Sequence, residues 1–409
     1  MDMPNYPLFS VIGIEIEYML VDMLSLNVVP KSDVIIQALA GELVNEFSLG
    51  EISVSNELVL HVFELKNHPP LPATSALINK FHHAITQLTP QLKAHHLMLL
   101  PTAAHPWMNP THETKRWPHG NCDIYQTYDR IFNCQGHGWA NLQSMHLNLP
   151  FANDAEFSIL HNGIRLLLPL LPALAASSPI LEGQFTGLLD ARLIFYNKNQ
   201  ARIPSISGDI IPEFVSTESA YQDQILTPMY QAIAPYDPDC HLQEEWLNSR
   251  GAIPKFKYHA IEIRLLDTQE CVTADLSIAL AIYHILKAWA QESEHYLQQP
   301  CNTQSLKTLY LQTLKTGLNT PIEDNNLLAQ WQLPVSKIKT CRDVWHALIE
   351  KYAHQLDPPC QTSLEAMLTH GNLSERILKK TGSNPTQNQL KDTYMTLANC
   401  LLENQMFIP

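Results

Sequence analysis

The stretch Gly13-Ile14-Glu15-Ile16-Glu17-Tyr18 alternates acidic and apolar side chains. Residues two apart in an extended strand share a face, so Glu15 and Glu17 point one way while Ile14, Ile16 and Tyr18 point the other. Two distant stretches repeat the pattern. In Met145-His146-Leu147-Asn148-Leu149, His146 and Asn148 share a face opposite three apolar residues. In Ile261-Glu262-Ile263-Arg264-Leu265, Glu262 and Arg264 do the same. Each strand thus has one face for a core and one made of Glu, His, Asn and Arg.

An antiparallel sheet with one solvated face is the plain alternative. Solvated faces favour Lys, Thr, Ser and mixed charges, whereas these three strands supply groups that bind metals and phosphates. Two carboxylates about 4 Å apart repel by roughly 4 kcal/mol at an effective dielectric near 20, so their convergence calls for a cation. Oxygen donors with one imidazole suit magnesium, or manganese, over zinc. A fourth stretch, residues 56–67, adds Glu57 and Glu64. Seven apart, they fall on opposite faces of a regular strand, so both join one site only if Glu57 lies on the entering turn or a bulge intervenes.

Outward from these strands, the pattern predicts strands at 10–21, 58–65, 97–102, 142–149, 189–196 and 260–267. It predicts helices at 33–45, 73–95, 154–177, 217–234 and 273–296. Beyond about Pro300 only amphipathic helices follow, broken at stretches such as Asp357-Pro358-Pro359. The fold class implied is α+β: a curved, mostly antiparallel sheet with helices packed on one side, and a helical C-terminal part. We divide it into a catalytic region at 1–298 and a helical region at 299–409 packed on the same domain.

The 409 residues are 45% hydrophobic and 16% charged, enough apolar material for a large core. A formal net charge of -14 with no basic run argues against a nucleic-acid partner. Eight scattered cysteines with no C-x-x-C pair read as reduced thiols of a cytoplasmic protein. The N-terminal residues do not form a secretory signal, and the apolar stretch 166–176 is interrupted by Pro169 and Pro172, so no membrane span is expected. There is no phosphate-binding G-x-x-x-x-G-K-[ST] loop, and Ser177-Ser178 lacks a nucleophile elbow. The pairs His82-His83 and His95-His96 fall in a predicted helix, where neighbours diverge, and read as surface or partly packed side chains.

Several of these segments, in this order, resemble the glutamate-cysteine ligase type 2 (carboxylate-amine ligase) family, which has a glutamine-synthetase-like fold. They are the opening Gly13–Asp22 strand, Glu64-Leu65-Lys66-Asn67, Met145-His146-Leu147-Asn148, and Glu262-Ile263-Arg264-Leu265-Leu266-Asp267. The most specific is Ser177-Ser178-Pro179 followed by Gly183, Thr186-Gly187 and Arg192; the tail stretch from Leu368 to Arg376 agrees. The resemblance implies an ATP- and Mg2+-dependent ligase joining the carboxylate of glutamate or a related amino acid to an amine such as cysteine, through an acyl phosphate. It implies that Glu15, Glu17, Glu57, Glu64, His146 and Glu262 surround the metal ions.

By the same resemblance Arg192, with His146, meets the substrate, and Arg264, with Asn148, meets the nucleotide. Arg264, Glu262 and Arg192 would then carry the catalysis. Partners are small molecules, with a homodimer expected. An ATP-dependent phosphotransferase of the same fold and a non-catalytic metabolite-binding relative are the alternatives. Two departures stand out: His259-Ala260 replaces the family's Gly-Thr, and Ile16 sits where many relatives have a third acid.

Overall fold

The computed structural model describes residues 5–409. The alternating stretch forms β1 (Gly13–Asp22). The other strands are β2 (Glu46–Leu49), β3 (Ile52–Asn56), β4 (Val62–Asn67), β5 (Leu97–Leu100), β6 (Ser144–Pro150), β7 (Ile180–Leu181), β8 (Gln184–Phe185), β9 (Ala252–Lys255) and β10 (Ala260–Asp267). Eight of them build one sheet in the order β2-β3-β4-β1-β6-β10-β9, with β5 also on β1, while β7 and β8 pair separately. Every pairing in the large sheet is antiparallel. Met19 pairs with both Val62 and Leu100, and Glu15 with both Lys66 and His146, so β5 and β6 follow one another along the same edge of β1.

The apolar face behaves as the alternation requires. Ile14, Ile16, Tyr18, Leu147, Leu149, Ile261 and Ile263 are buried in one cluster with residues of the helices Ala76–Ala94, Asp154–Leu167 and Val272–Gln291. Each fully buried aliphatic side chain contributes roughly 1.5–3 kcal/mol, which fixes the register, since a one-residue slip would expose them all. Two helices, Asp154–Ala175 and Val272–Gln291, have the length and hydropathy of a membrane span, but 89% and 78% of their apolar windows are buried inside the protein. They are core helices.

The opposite face of β1 turns from acidic to apolar at Met19 and Val21. There it is covered by Ile377 of the helix Leu373–Thr381 and by Tyr394 and Leu397 of the helix Gln387–Glu403. Both helices begin with reciprocal capping boxes, Asn372 with Glu375 and Thr386 with Gln389. The C-terminal part therefore seals one end of the polar face and leaves the glutamate end open.

Sequence and structure differ at definable places. Residues 189–196, expected as a strand, form the helix Ala191–Tyr196, because the Asp190 carboxylate accepts the Leu193 amide at 3.0 Å and caps it. The helix expected at 33–45 stops at Ala40, where Gly41 takes φ 83°. That frees the following residues for the β2–β3 hairpin, whose two-residue turn has Gly50 at φ 77° and which the sequence reading missed.

A further difference lies in β10. Ile263 pairs with Leu147, but Leu266 pairs with Met145, so β10 carries one extra residue, a bulge. Asp267 therefore lies opposite Ser144 and joins the face of Glu262, from which strict alternation would exclude it.

Candidate active site

Cross-strand pairing assembles the polar face into rows. Lys66, Glu15 and His146 lie side by side on β4, β1 and β6, as do Ser55, Glu64 and Glu17 on β3, β4 and β1; Glu262 lies opposite Asn148. Glu57 sits immediately after the end of β3, on the turn that would let it join Glu64. All five carboxylates (Glu15, Glu17, Glu57, Glu64 and Glu262) line one cleft of about 400 Å³, together with His146, Arg192 and Arg264. The structure thus brings together every carboxylate and arginine singled out from the sequence. Asn148 stands beside the cleft, donating to Glu15 Oε1 at 3.1 Å.

The hydrogen bonds form a connected set. His146 Nδ1 donates to Glu15 Oε2 at 3.1 Å, and its Nε2 lies 2.9 Å from Ser144 Oγ, which donates to Glu17 Oε2 at 3.1 Å. The Ser144 amide reaches the same Glu17 oxygen at 2.7 Å. Ser55 Oγ donates to Glu64 at 3.0 Å. Arg264 Nε donates to Glu262 Oε1 at 2.5 Å, and the Lys255 ammonium holds the other Glu262 oxygen.

The charges divide into two groups. Burial raises the Glu64 carboxyl pKa to about 8, with Glu15 and Glu57 adding repulsion. Burial, with the charge of Glu17, raises Glu57 to about 7. Burial also raises Glu17. Burial works against ionisation of Glu262 too, but Arg264 and Lys255 overcome it and hold that carboxyl far below its ordinary value. Glu15 is likewise pulled down, burial being outweighed chiefly by Lys255. His146 is raised: burial favours the neutral ring, and the Glu15 hydrogen bond and the surrounding carboxylates reverse it. The cleft therefore has an ionised, cation-paired side at Glu262 and a proton-holding side at Glu57 and Glu64.

Such an arrangement fits divalent metal ions. Ligand atoms of Glu15, His146 and Glu262 lie within 4.8 Å of one another, and so do those of Glu17, Glu64 and His146, giving two oxygen-rich groups that share one imidazole. Proton-holding carboxyls packed together are what a metal would displace protons from.

Residues beyond those chosen as site residues from the sequence complete the site. Asp267 binds Arg192 Nε and accepts the Ser177 amide at 2.8 Å and Ser178 Oγ at 3.0 Å, so it fixes the arginine from behind. Its parity was hidden by the β10 bulge. Lys66 was legible, two residues after Glu64 and hence on its face; Lys255 was not, because β9 shows no alternation. Tyr125, Tyr128, Trp139 and Trp246 form an aromatic wall, with Tyr128 ring centroids 5.2 Å from Trp139 and 5.9 Å from Trp246. Tyr125 and Tyr128 lie on the amphipathic helix Cys122–Phe132, which the sequence reading did not mark, and Trp139 and Trp246 lie on single turns of helix too short to show a period.

The two departures now have structural meaning. His259 has φ 50°, in the left-handed region that favours glycine. Ile16 is wholly buried on the opposite face and contributes nothing to the cleft.

The sequence profile of the family described as Glutamate-cysteine ligase family 2 (GCS2) matches residues 11–394. The chain belongs to this family. A curated relative, an uncharacterized protein of Archaeoglobus fulgidus, is 38% identical over 281 residues, which is 69% of this chain and 75% of that one. Among solved structures, a glutamate–cysteine ligase from Francisella tularensis in complex with AMP aligns over 97% of this chain and 89% of its own, with TM-score 0.57 and 12% identity. A bifunctional glutathione synthetase from Pasteurella multocida aligns over 94% of this chain and 52% of its own, with TM-score 0.51 and 11% identity. At such identities the two structures establish a shared fold. Family membership makes the chain a member of a ligase family.

Proposed function

We propose that this GCS2 member is an ATP-dependent carboxylate-amine ligase that activates the carboxylate of glutamate, or a related amino acid, and transfers the acyl group to an amine. The observation that carries this reading is the convergence of five carboxylates and His146 with Arg192 and Arg264 in one cleft, in a chain whose family is a ligase family. The AMP bound by the Francisella ligase supports a nucleotide in the same fold.

A carboxylate resists amines because it has no good leaving group. In the proposed reaction its oxygen attacks the γ-phosphorus of ATP, the bond from that phosphorus to the bridging oxygen breaks, and ADP leaves. The amine nitrogen then attacks the acyl carbon, phosphate departs with the C–O bonding electrons, and the amine loses a proton. Divalent ions held by Glu15, Glu17, Glu57, Glu64, His146 and Glu262 would supply positive charge to the phosphates.

The remaining work falls to this chain's own side chains. Arg264, anchored through Nε by Glu262, presents a fixed positive charge to the phosphoryl group in flight. Arg192, anchored by Asp267, is placed to meet the acid's carboxylate through its planar fork. Their anchors remove the cost of orienting them during reaction. The aromatic wall would shield an acyl phosphate from water, which would otherwise hydrolyse it.

The test uses purified protein with ATP, Mg2+, glutamate and a pool of amines that includes cysteine, with phosphate release and mass spectrometry as readouts. A ligase releases phosphate only when acid and amine are both present, and yields a condensed product. Release with the acid alone, with a phosphorylated product, would instead identify a phosphotransferase.

A further inference from the structure

The aromatic wall of the cleft has a regular origin. On the helix Cys122–Phe132, Tyr125, Tyr128 and Phe132 recur three and four residues apart and so share one face. Trp139 and Trp246 pack against that face: the Tyr128 ring centroid lies 5.2 Å from that of Trp139 and 5.9 Å from that of Trp246, and Phe132 stacks on Trp139 at 6.0 Å. At these spacings each ring touches the next. Rings that hold an ammonium ion stand apart and face one another across it. These leave no gap for a cation and present one continuous, uncharged surface to the cleft.

The same cleft contains an unsatisfied amide. Arg192 and Tyr196 are four apart on the helix Ala191–Tyr196, and Gln200 follows four residues further on, in the turn after it; all three line the cleft. Gln200 is only 4% exposed, and its Oε1 has no hydrogen-bond partner among the described residues. A buried carbonyl oxygen without a donor is a standing cost that an N–H from a ligand removes. The last torsion of a glutamine is soft, so the carboxamide can turn its oxygen into the cleft.

We propose that the acyl acceptor of this ligase is an amine carrying an aromatic group, whose ring lies on the wall formed by Tyr128, Trp139 and Trp246 and whose nitrogen donates to Gln200. This rests on the ligase reading above and names the class of the second substrate. An aryl group covers two neighbouring rings of the wall at once, whereas a thiol on one methylene covers part of one, so the wall selects by apolar area. Gln200 continues the row that begins with Arg192, which sets the nitrogen beside the acid that the arginine holds. With one N–H on Gln200, the nitrogen keeps its lone pair for the acyl carbon. The N–C bond forms, the bond from that carbon to the phosphate oxygen breaks, and the departing phosphate keeps the electron pair and takes up the nitrogen's proton.

The test measures kcat/KM for two matched pairs of amines, phenethylamine against cysteamine and phenylalanine against cysteine, with ATP, Mg2+ and glutamate, following the condensed product by mass spectrometry. The aryl member of each pair should be used at least tenfold better. Trp246→Leu should bring the two members of each pair to within about threefold of one another, and Trp246→Phe should keep the preference. Gln200→Met, which keeps the length and loses the carboxamide, should lower kcat/KM for phenethylamine at least tenfold and leave KM for glutamate and for ATP within about twofold; those two unchanged values also report a folded variant.

The wild-type ratios decide the substrate class whether or not a variant folds. A thiol member used as well as its aryl counterpart in either pair, an aryl preference that survives Trp246→Leu, or a Gln200→Met variant that weakens all three substrates alike would overturn the assignment while the ligase reading stood. So would condensation with other amines and none with the aryl pair. Absence of a condensed product with any amine would overturn both.

Discussion

Glu262 stands between two cations and is entirely buried, which makes it the least replaceable acid in the cleft. Removing its charge leaves Arg264 and Lys255 crowded together without a counter-ion and takes one ligand from the Glu15–His146–Glu262 group. Glu262→Gln is therefore expected to lower ligase turnover by about 10³-fold or more, and Glu57→Gln, which belongs to neither close ligand group, by much less. Steady-state rates on glutamate and the best amine decide this; equal losses in the two variants would count against the ranking.

pH exposes the other side of the cleft. Glu64 and Glu57 have folded pKa values of about 8 and about 7 against an ordinary 4.5. Between 4.5 and those values these two carboxyls bind more protons in the folded chain than in the unfolded one, so their contribution to metal-free stability is fully present below 4.5 and is lost as pH rises toward 8. Metal ions need the same carboxyls ionised, so their affinity rises over that window, with protons released on binding. Melting temperatures of chelator-treated protein from pH 5 to 8, with and without Mg2+, should show a decline that the metal reverses; a flat metal-free profile would refute the assignment.

At this scale, much of the site was legible. The two-residue alternation on β1, β6 and β10 was enough to choose Glu15, Glu17, His146, Glu262 and Arg264. It failed for Asp267 because a bulge reversed its parity, and for Lys255 because Ala252-Ile253-Pro254-Lys255 has no period to read.

Among the elements, the reading worked best where burial is one-sided. Strands β1, β6 and β10 were predicted close to their observed bounds, since their apolar residues alternate cleanly. It failed at 189–196, where an aspartate cap turned an apolar run into a helix, and at the β2–β3 hairpin, whose strands are too short to show much pattern. The C-terminal elements are joined to the site by contacts that no local pattern could reveal. Arg376, on the helix Leu373–Thr381, forms a fully buried ion pair with Glu270, three residues beyond Asp267, and both groups also bind the Phe407 backbone. Breaking such a pair from one side strands a buried charge, so Arg376→Met should cost about 3–5 kcal/mol in urea unfolding, and Arg376→Met with Glu270→Leu should recover much of it. A cost near zero for the single substitution would show that the pair does not pin the tail.

On the scale of the whole molecule, the sheet divides two tasks between its faces. One face builds the core with the long helices, including the two apolar enough to resemble membrane spans. The other is closed at one end by the capped C-terminal helices and left open at the glutamate end, where the acidic cleft lies. An acidic cleft in a chain of net charge -14 attracts cations first, and nucleotide only with them. The most direct measurement is a Mn2+ titration followed by electron paramagnetic resonance, without and with a non-hydrolysable ATP analogue, on wild type and on Glu15→Gln. The account predicts that wild type binds Mn2+, that the analogue strengthens this binding at least tenfold, and that Glu15→Gln loses most of it. Mn2+ binding that ignores both the nucleotide and the loss of Glu15 would contradict it.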